Sequence, residues 1–236
     1  LTVPLGDQSL PDALAALDRF GVDAPAAVRA RLAAGARGEV PETPGPDDPV
    51  FDRTTTHVVA GNYTALAAAR DAARERGYEP AILAAGVTGE AREAAHTHVA
   101  VARQATETGE PIDPPAVVIA GGECTVTVRG DGIGGPNLEF ALSAALDLRD
   151  AGLGDRVAVA AVDTDGLDGS TDAAGGLVDG TTVTDERAAR DALADNDALT
   201  HLDRLGAALR SGATSTNVND LRVAVVEEEE EGEGRS

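Results

Sequence analysis

Apolar residues recur along the chain at helical spacing in some segments and with strand-like spacing in others, which predicts an α/β fold. Residues 11–20 place Ala13, Leu14, Leu17 and Phe20 on one helical face and stop at Gly21. A second helix is predicted over residues 24–34. The chain therefore opens with two short helices.

From residue 55 the pattern alternates between strands and helices, which is typical of a parallel sheet with right-handed crossovers. Asn62 is the predicted N-cap of the first helix in this region. The predicted strands are 55–60, 80–85, 117–120, 123–129, 156–162 and 221–226, and the predicted helices are 63–76, 89–108, 137–148, 184–194 and 201–209. Strand 123–129 alternates with a period of two, as a strand exposed on one face does.

Proline and charge divide the chain into segments. The run Pro-Ile-Asp-Pro-Pro at residues 111–115 predicts a linker, and residues 227–236, which contain five consecutive glutamates, predict a disordered acidic tail. The predicted fold class is a Rossmann-like parallel sheet portion followed by a smaller mixed α/β domain.

Charge adds an expectation about the environment of the protein. The chain carries 41 acidic residues against 19 basic ones, a net charge of -22, and it contains no lysine. In molar salt the Debye length is about 3 Å, so repulsion among these acids is screened. We interpret the acidity as halophilic adaptation of a cytoplasmic protein. An acidic motif in this chain is therefore weaker evidence for a functional site than it would be in a less acidic protein.

The same composition argues against several classes of protein. A basic patch for nucleic acid or anionic membranes is missing, and no apolar run approaches the roughly 20 residues of a membrane span. Cys124 is the single cysteine, so an internal disulfide and a cysteine-based metal site are excluded. Because the sequence contains no methionine, it is expected to be a fragment or a processed piece.

The acidic run at residues 163–172 is the strongest candidate for chemistry. Asp163, Asp165, Asp168 and Asp172 follow an apolar strand, where open α/β sheets place their ligands. Carboxylates this close repel one another unless a cation or a proton relieves them. Leu167 stands where an EF-hand needs a calcium ligand, so magnesium with an anionic substrate is favoured. An acidic surface loop is the alternative.

A glycine run and a polar segment are the other candidates. Residues 130–135 match the pattern G-x-G-x-x-G, which is compatible with a dinucleotide site that uses Asp163 for a ribose, with a phosphate cradle, or with a tight turn. The alternating strand before it argues against the dinucleotide site. Residues 214–220 are dense in hydroxyls and amides that suit a polar ligand or a turn. His96 and His98 face different directions on a helix and do not suggest a metal site.

Together these motifs resemble the C-terminal part of the glycerate 2-kinase family, whose last domain is called MOFRL. The matching blocks are residues 121–130, 134–140, 163–169 with 172–175, and 216–221. The resemblance implies three segments: residues 1–110 as the end of the family's larger Rossmann-like domain (DUF4147), 111–226 as the MOFRL domain, and 227–236 as the acidic tail.

The resemblance implies transfer of the γ-phosphoryl group of ATP to the 2-hydroxyl of D-glycerate, with ATP and Mg²⁺ as cofactors. It leaves a homodimer open. It also implies that a family lysine in the active site is missing, so that this piece is catalytically incomplete. Pro136 and Leu138 replace the family's frequent arginine and glutamine, and Cys124 replaces a threonine. The alternatives are an NAD(P)-dependent hydroxypyruvate reductase and a non-catalytic remnant or interaction module.

Site residues are predicted on the same basis. Asp165, Asp168 and Arg129 are the predicted catalytic residues, and the two aspartates would also hold magnesium. The residues predicted to bind nucleotide or substrate are Gly121, Gly122, Glu123, Gly132, Gly134, Gly135, Asn137, Glu139, Thr216 and Asn217.

Overall fold

The computed structural model describes residues 9–45 and 47–228, and it divides the chain into two units, residues 1–59 and 60–236. In the first unit α1 spans Leu10–Arg19, α2 spans Ala26–Ala36 and a short 3-10 turn spans Pro49–Phe51. Ser9 caps α1, since its side chain accepts from the Asp12 N–H while the Asp12 carboxylate accepts from the Ser9 N–H. The two predicted helices are confirmed.

The second unit is built on one six-stranded sheet in the order β1-β2-β6-β3-β4-β5. The strands are β1 Glu79–Val87, β2 Ala116–Gly122, β3 Val157–Asp163, β4 Gly175–Asp179, β5 Ala208–Leu209 and β6 Asp220–Val226. Strands β1 and β2 are parallel, and the other four neighbouring pairs are antiparallel. The α/β class is confirmed, and the sheet is mixed.

Five helices accompany the sheet: α3 Asn62–Glu75, α4 Ala91–Thr108, α5 Pro136–Asp150, α6 Glu186–Ala194 and α7 Ala198–Arg204. Helix α5 contacts α4, β3 and β4, and its apolar side chains lie in the main core. Helix α3 packs on β1 and β2 around a smaller cluster that contains Leu66 and Ile119. Because α5 is covered on most sides, nearly all of its residues are apolar or hydrogen-bonded internally.

Three predicted elements are wrong. Residues 55–60 form no strand, and Val58 and Val59 are 85% and 94% exposed, so their apolar pattern has no core to face. Residues 123–129 form only an isolated bridge between Thr125 and Glu90. The predicted helix 201–209 overlaps only the end of α7, which stops at Arg204, and residues 208–209 form β5. Gly206 with φ +70° makes the turn between them.

Strand β4 was not predicted, because two glycines interrupt any alternation in its five residues. Gly175 has φ +154°, and a Cβ there would collide with the carbonyl oxygen of Ala161 on β3. The glycine therefore permits the close pairing of β3 with β4.

The predicted boundary at residues 111–115 lies between β1 and β2, which pair with each other. The division into segments at this point stays a prediction. Of the predicted tail, residues 229–236 lie outside the described residues. Among the helices in the described ranges, none is both long and apolar enough to cross a bilayer.

The topology brings several strand ends to one edge of the sheet. The last residue of β1, Val87, pairs with the last residue of β2, Gly122. Both Gly122 and the last residue of β3, Asp163, pair with Asp220 at the start of β6. The loops that leave β2 and β3 therefore meet the segment that enters β6.

Candidate functional site

The carboxylate of Asp165 lies at this edge among hydroxyl and amide groups. We call residues 163–165 and 214–220 the acid edge. The Asp165 carboxylate accepts from the backbone N–H of Leu167 at 2.8 Å and from Nδ2 of Asn217 at 3.1 Å. The backbone N–H of Thr214 donates to the Asp165 carbonyl at 2.8 Å. The two segments of the acid edge are thus joined through Asp165.

Thr164 fixes the shape of the acid edge from the other side. Its hydroxyl donates to the carbonyl of Asn219 and accepts from the N–H of Val218, both at 2.8 Å. Asn62 on α3, the predicted N-cap, follows the actual cap Gly61 and donates from Nδ2 to the carbonyls of Val218 and Asp220. Thr216 and Asn217 remain exposed, where a ligand can reach them.

Asp163 and Asp165 are neighbouring carboxylates, each partly exposed. Burial raises the pKa of Asp163, the backbone N–H of Asp165 lowers it, and the charges of Asp165 and Asp220 raise it. A bound cation would relieve this repulsion. Within the described residues, no group of three or more acidic, histidine or cysteine side chains is placed to hold a metal. A metal ion held by Asp163 and Asp165 would therefore need further oxygen ligands from a substrate.

Asp168 points inward and caps helix α5. The residue is 1% exposed, and its carboxylate accepts from the N–H groups of Asn137 at 3.0 Å and Leu138 at 2.8 Å. Nδ2 of Asn137 is a third donor at 3.1 Å. A carboxylate suits the positive end of a helix. Since Asp168 is almost fully buried, Asp165 is the member of the predicted pair that a ligand can reach.

We expect Asp168→Asn to remove a pH dependence of stability. Burial raises the pKa of Asp168 from 3.8 to about 6, so between these values the folded state holds more protons than the unfolded state. The contribution of this group is therefore greatest at low pH and falls by up to about 3 kcal/mol as the pH rises through this window. Urea unfolding of both proteins between about pH 4 and pH 7 measures the difference.

The pH dependence must be measured as a difference between wild type and Asp168→Asn, because His98 contributes a pH dependence of the opposite sign. Burial, with the charge of Arg222, lowers the pKa of His98 from 6.5 to about 4. Its contribution therefore rises with pH over almost the same window and masks that of Asp168 in the wild-type profile. A difference between wild type and variant that stays constant from pH 4 to pH 7 would contradict the linkage.

Asn137 joins Asp168 to a second buried acid, Asp220. Its Nδ2 also donates to Asp220 Oδ1 at 2.8 Å, and the other Asp220 oxygen accepts from Nη2 of Arg222 and from the N–H of Cys124. Burial raises the pKa of the Cys124 thiol, and the nearby Arg222 lowers it. Asn137 is 0% exposed, and its amide links Asp168 to Asp220 in the protein interior, while its role in ligand binding stays a prediction.

Glu139 is buried as well, and it orients a loop. Its carboxylate accepts from Arg92 Nη2 at 2.6 Å and from Asn196 Nδ2 at 2.7 Å. The Asn196 oxygen in turn accepts from the N–H groups of Arg129 and Gly130, at 2.7 and 3.1 Å. Glu139 therefore acts on the glycine run through Asn196.

The rest of the glycine run contacts the same loop, residues 195–197. The N–H of Gly132 donates to the Asp195 carbonyl at 2.9 Å and that of Ile133 to the Asp197 carboxylate at 3.1 Å. A Cβ at Gly130 or Gly132 would collide with this loop. These glycines permit close packing, and the N–H groups of residues 130–133, part of the predicted phosphate cradle, are used within the chain.

The other predicted glycines also make close packing possible. A Cβ at Gly121 would meet the Asn62 side chain, one at Gly122 the backbone of Val87, and one at Gly135 the carboxylate of Asp168. The N–H of Glu123 donates to the carbonyl of Val87 at 3.0 Å. A Cβ at Gly134 would lie 3.0 Å from the carbonyl of Asn196.

Arg129 is exposed and forms no ion pair within the described ranges. It lines a cavity of about 360 Å³ together with Arg92, Arg190 and Asp147, whereas Asp165 lies on the acid edge. Arg129 thus lines a cavity that Asp165 does not line.

The sequence analysis missed three residues that organise these sites, Arg92, Asn196 and Arg222, and it predicted Asn62 only as an N-cap. The partners of Asn62, Arg92 and Asn196 are distant in sequence, as with Asn62 and Asp220, which are 158 positions apart, whereas Arg222 pairs with Asp220 two positions away. Among the three missed residues, Asn196 carried a local signal, since asparagine is favoured in turns and tolerates the φ of 57° that it adopts between two helices.

Comparison with known proteins gives similar sequences over most of the chain. The MOFRL family matches residues 116–220. The chain is 37% identical over 207 residues to a Pyrococcus horikoshii protein named Glycerate 2-kinase, covering 86% of this chain and 46% of that protein. It is 37% identical over 224 residues to an Agrobacterium vitis protein named Putative hydroxypyruvate reductase, covering 92% and 49%.

Solved structures agree with the sequence comparison. The crystal structure of glycerate kinase from Thermotoga maritima superposes with a TM-score of 0.73 at 33% identity, covering 92% of this chain and 50% of that chain. The chain thus spans about half the length of the curated relatives that it matches.

Proposed function

Because residues 116–220 match the MOFRL family and the chain is similar to glycerate 2-kinases over most of its length, we propose that this protein phosphorylates D-glycerate with ATP. The product is 2-phosphoglycerate. The observation that carries the proposal is the acid edge, where Asp165 and the exposed side chain of Asn217 are in contact beside three strand ends.

The acid edge suits phosphoryl transfer because it combines carboxylates with neutral hydrogen-bonding groups. Transfer requires a metal to neutralise the phosphates and groups that orient the attacking hydroxyl. Asp163 and Asp165 are the residues that would hold magnesium, which supplies positive charge at the transferring phosphoryl group when bound. Thr216 and Asn217 would bind the oxygens of glycerate and orient its 2-hydroxyl.

The glycine run has a supporting role in this proposal. The N–H groups of residues 130–133 donate to residues 195–197, so a side chain is the better candidate for a phosphate contact. Arg129 is exposed, has no ion partner in the described part of the chain, and is anchored through its own N–H to Asn196. We assign it to phosphate binding.

Further expectations accompany the kinase. Its acidity supports a cytoplasmic protein that works in molar salt, where charge repulsion is screened. Its partners are small molecules, and a homodimer stays a prediction.

A coupled assay tests the proposal. The full product of the gene, in molar salt with ATP, Mg²⁺ and D-glycerate, is expected to form 2-phosphoglycerate, and omission of Mg²⁺ is expected to abolish turnover. ADP formation that does not depend on glycerate would contradict the substrate assignment. If the full gene product forms no 2-phosphoglycerate and shows no other activity, a non-catalytic remnant or interaction module is favoured.

The name of the Agrobacterium vitis relatives makes a hydroxypyruvate reductase the second candidate. A dinucleotide site needs its glycine run between a strand and a helix, with free N–H groups. Here residues 123–129 form no strand, and the N–H groups of residues 130–133 already donate to residues 195–197, so the geometry disfavours it. Oxidation of NADH or NADPH by hydroxypyruvate, measured in the same salt, would overturn the kinase proposal if glycerate phosphorylation were absent.

A further inference from the structure

A cavity of about 510 Å³ lies between strand β1 and helix α4, and its lining residues lie outside the acid edge, which it adjoins through the Arg222–Asp220 pair. Its apolar walls come from Leu83, Ala84 and Val87 on β1 and from Phe140 on α5, while His98 and Arg222 supply polar groups. Cavities of roughly 300–1,000 Å³ with apolar walls and a few fixed polar groups are typical of small-molecule sites.

Arg222 has more hydrogen-bond donors than partners. The residue is 1% exposed, and its Nη2 donates to Asp220. Nε and Nη1 are buried without an oxygen or nitrogen acceptor among the described residues, and the Cys124 thiol, a weak acceptor, lies beside the guanidinium. The guanidinium carbon lies 4.9 Å above the Phe140 ring, a contact that leaves the in-plane N–H groups unused. Buried donors without acceptors are costly, so a missing acceptor is indicated.

His98 repeats the pattern beside Arg222. It is 4% exposed, its Nε2 has no hydrogen-bond partner in the described chain, and its ring contacts Phe140 edge-on at 5.8 Å. Burial lowers its pKa to about 4, so the ring is neutral at pH 7. A neutral imidazole can present Nε2 either as donor or as acceptor.

The charges around the cavity determine what kind of acceptor fits. Asp220 already pairs with Arg222, and Glu90 and Glu93 line the cavity as well. An anionic ligand would add a further negative charge beside these three carboxylates, of which Asp220 is buried at 4% exposure. An uncharged acceptor avoids that repulsion and still satisfies the donors of Arg222.

We propose that this cavity binds an uncharged planar molecule, an aromatic amide or a nitrogen heterocycle such as a nucleobase. A carbonyl or ring nitrogen accepts from Arg222, His98 makes a second polar contact, and the planar body lies against Leu83 and Val87. The inference stands independently of the proposed kinase activity.

Calorimetric titration of the full chain in molar salt with adenine, benzamide and benzoate tests the charge argument. Adenine and benzamide are expected to bind with Kd of about 1 mM or tighter, as the efficiency of small ligands allows. Benzoate has the shape of benzamide and a negative charge, so it is expected to bind at least about tenfold more weakly. Equal binding of the two, or no binding of any probe, would overturn the proposal.

Two variants place the ligand in the cavity. Ala84→Phe fills the space beside β1 and is expected to weaken benzamide binding about tenfold or more, whereas Ala100→Phe, on an exposed position outside the cavity, leaves it unchanged. Arg222→Lys keeps the charge beside Asp220 and removes Nε, with a similar expected loss. If Arg222→Lys fails to fold, Ala84→Phe still decides, and an unchanged Kd in Ala84→Phe would refute the assignment.

Discussion

Replacing Asp165 by asparagine is expected to lower kcat for glycerate phosphorylation at least about 100-fold, since a metal-holding or proton-accepting carboxylate contributes on this scale. Asparagine keeps the oxygen that accepts from Leu167 and removes the charge. Because Asp165 is partly exposed, the variant is expected to fold as stably as the wild type. The coupled assay in molar salt, with urea unfolding alongside, measures both quantities.

Asp172→Asn is the matched control for Asp165→Asn. Asp172 lies in the same acidic run, is exposed, and pairs with Arg210 at 3.2 Å. The substitution makes the same change in net charge and is expected to leave kcat within about twofold, because exposed ion pairs contribute little. If both variants retain nearly full activity, the acid edge is an ordinary acidic surface. If both lose activity equally, the loss reflects general charge.

Replacing Asp220 by alanine is expected to lower the free energy of unfolding by about 3–5 kcal/mol, the usual cost of leaving a buried charge without its partner. Asp220 and Arg222 are 4% and 1% exposed, and the same carboxylate accepts from Asn137. Urea unfolding at constant salt measures the loss.

Two further variants separate the cost of leaving a buried charge unpaired from the cost of losing an ion-pair contact. Asp203→Ala breaks the exposed pair of Asp203 with Arg210 and is expected to cost less than about 1 kcal/mol. Asp220→Ala combined with Arg222→Met removes both buried charges and is expected to recover part of the stability lost by Asp220→Ala. Equal losses of unfolding free energy in Asp220→Ala and Asp203→Ala would show that the buried pair contributes no more to stability than the exposed pair.

Both predictions concern one edge of the sheet but depend on opposite environments. Asp165 is open to a ligand, whereas Asp220 is enclosed by Arg222, Asn137 and the N–H of Cys124. Loss of activity without loss of stability is expected at the first, and loss of stability at the second. The pair of measurements therefore distinguishes ligand binding from structural support.

Periodicity predicted the elements whose burial is regular. Helix α4 and strands β2 and β3 were found within a few residues of their actual bounds, because each turns a continuous apolar face to the core. Strand β4 was missed because Gly175 is explained by the close contact with β3, which the sequence does not show. Residues 55–60 were overpredicted, since a β-branched apolar run forms a strand only where a partner strand exists.

Local motifs predicted where the candidate site lies, and they could not tell which acids face out. Asp165 and Asp168 are three positions apart and have the same chemistry. One contacts Asn217, 52 positions away, and the other caps α5 from 31 positions away. Likewise, the spacing of residues 130–135 cannot show that the partner of these glycines is the loop at residues 195–197.

The sequence by itself determined the α/β class, the polar loops after β2 and β3, and the resemblance to glycerate 2-kinases, because apolar periodicity and short ordered motifs are local properties. The tertiary structure alone decided the mixed strand order, the inward position of Asp168, Asn137 and Glu139, and the unmatched donors of Arg222. Solvent exposure and hydrogen-bond partners depend on contacts between residues far apart in the chain. They therefore decide, for each polar side chain, whether it supports the fold or meets a ligand.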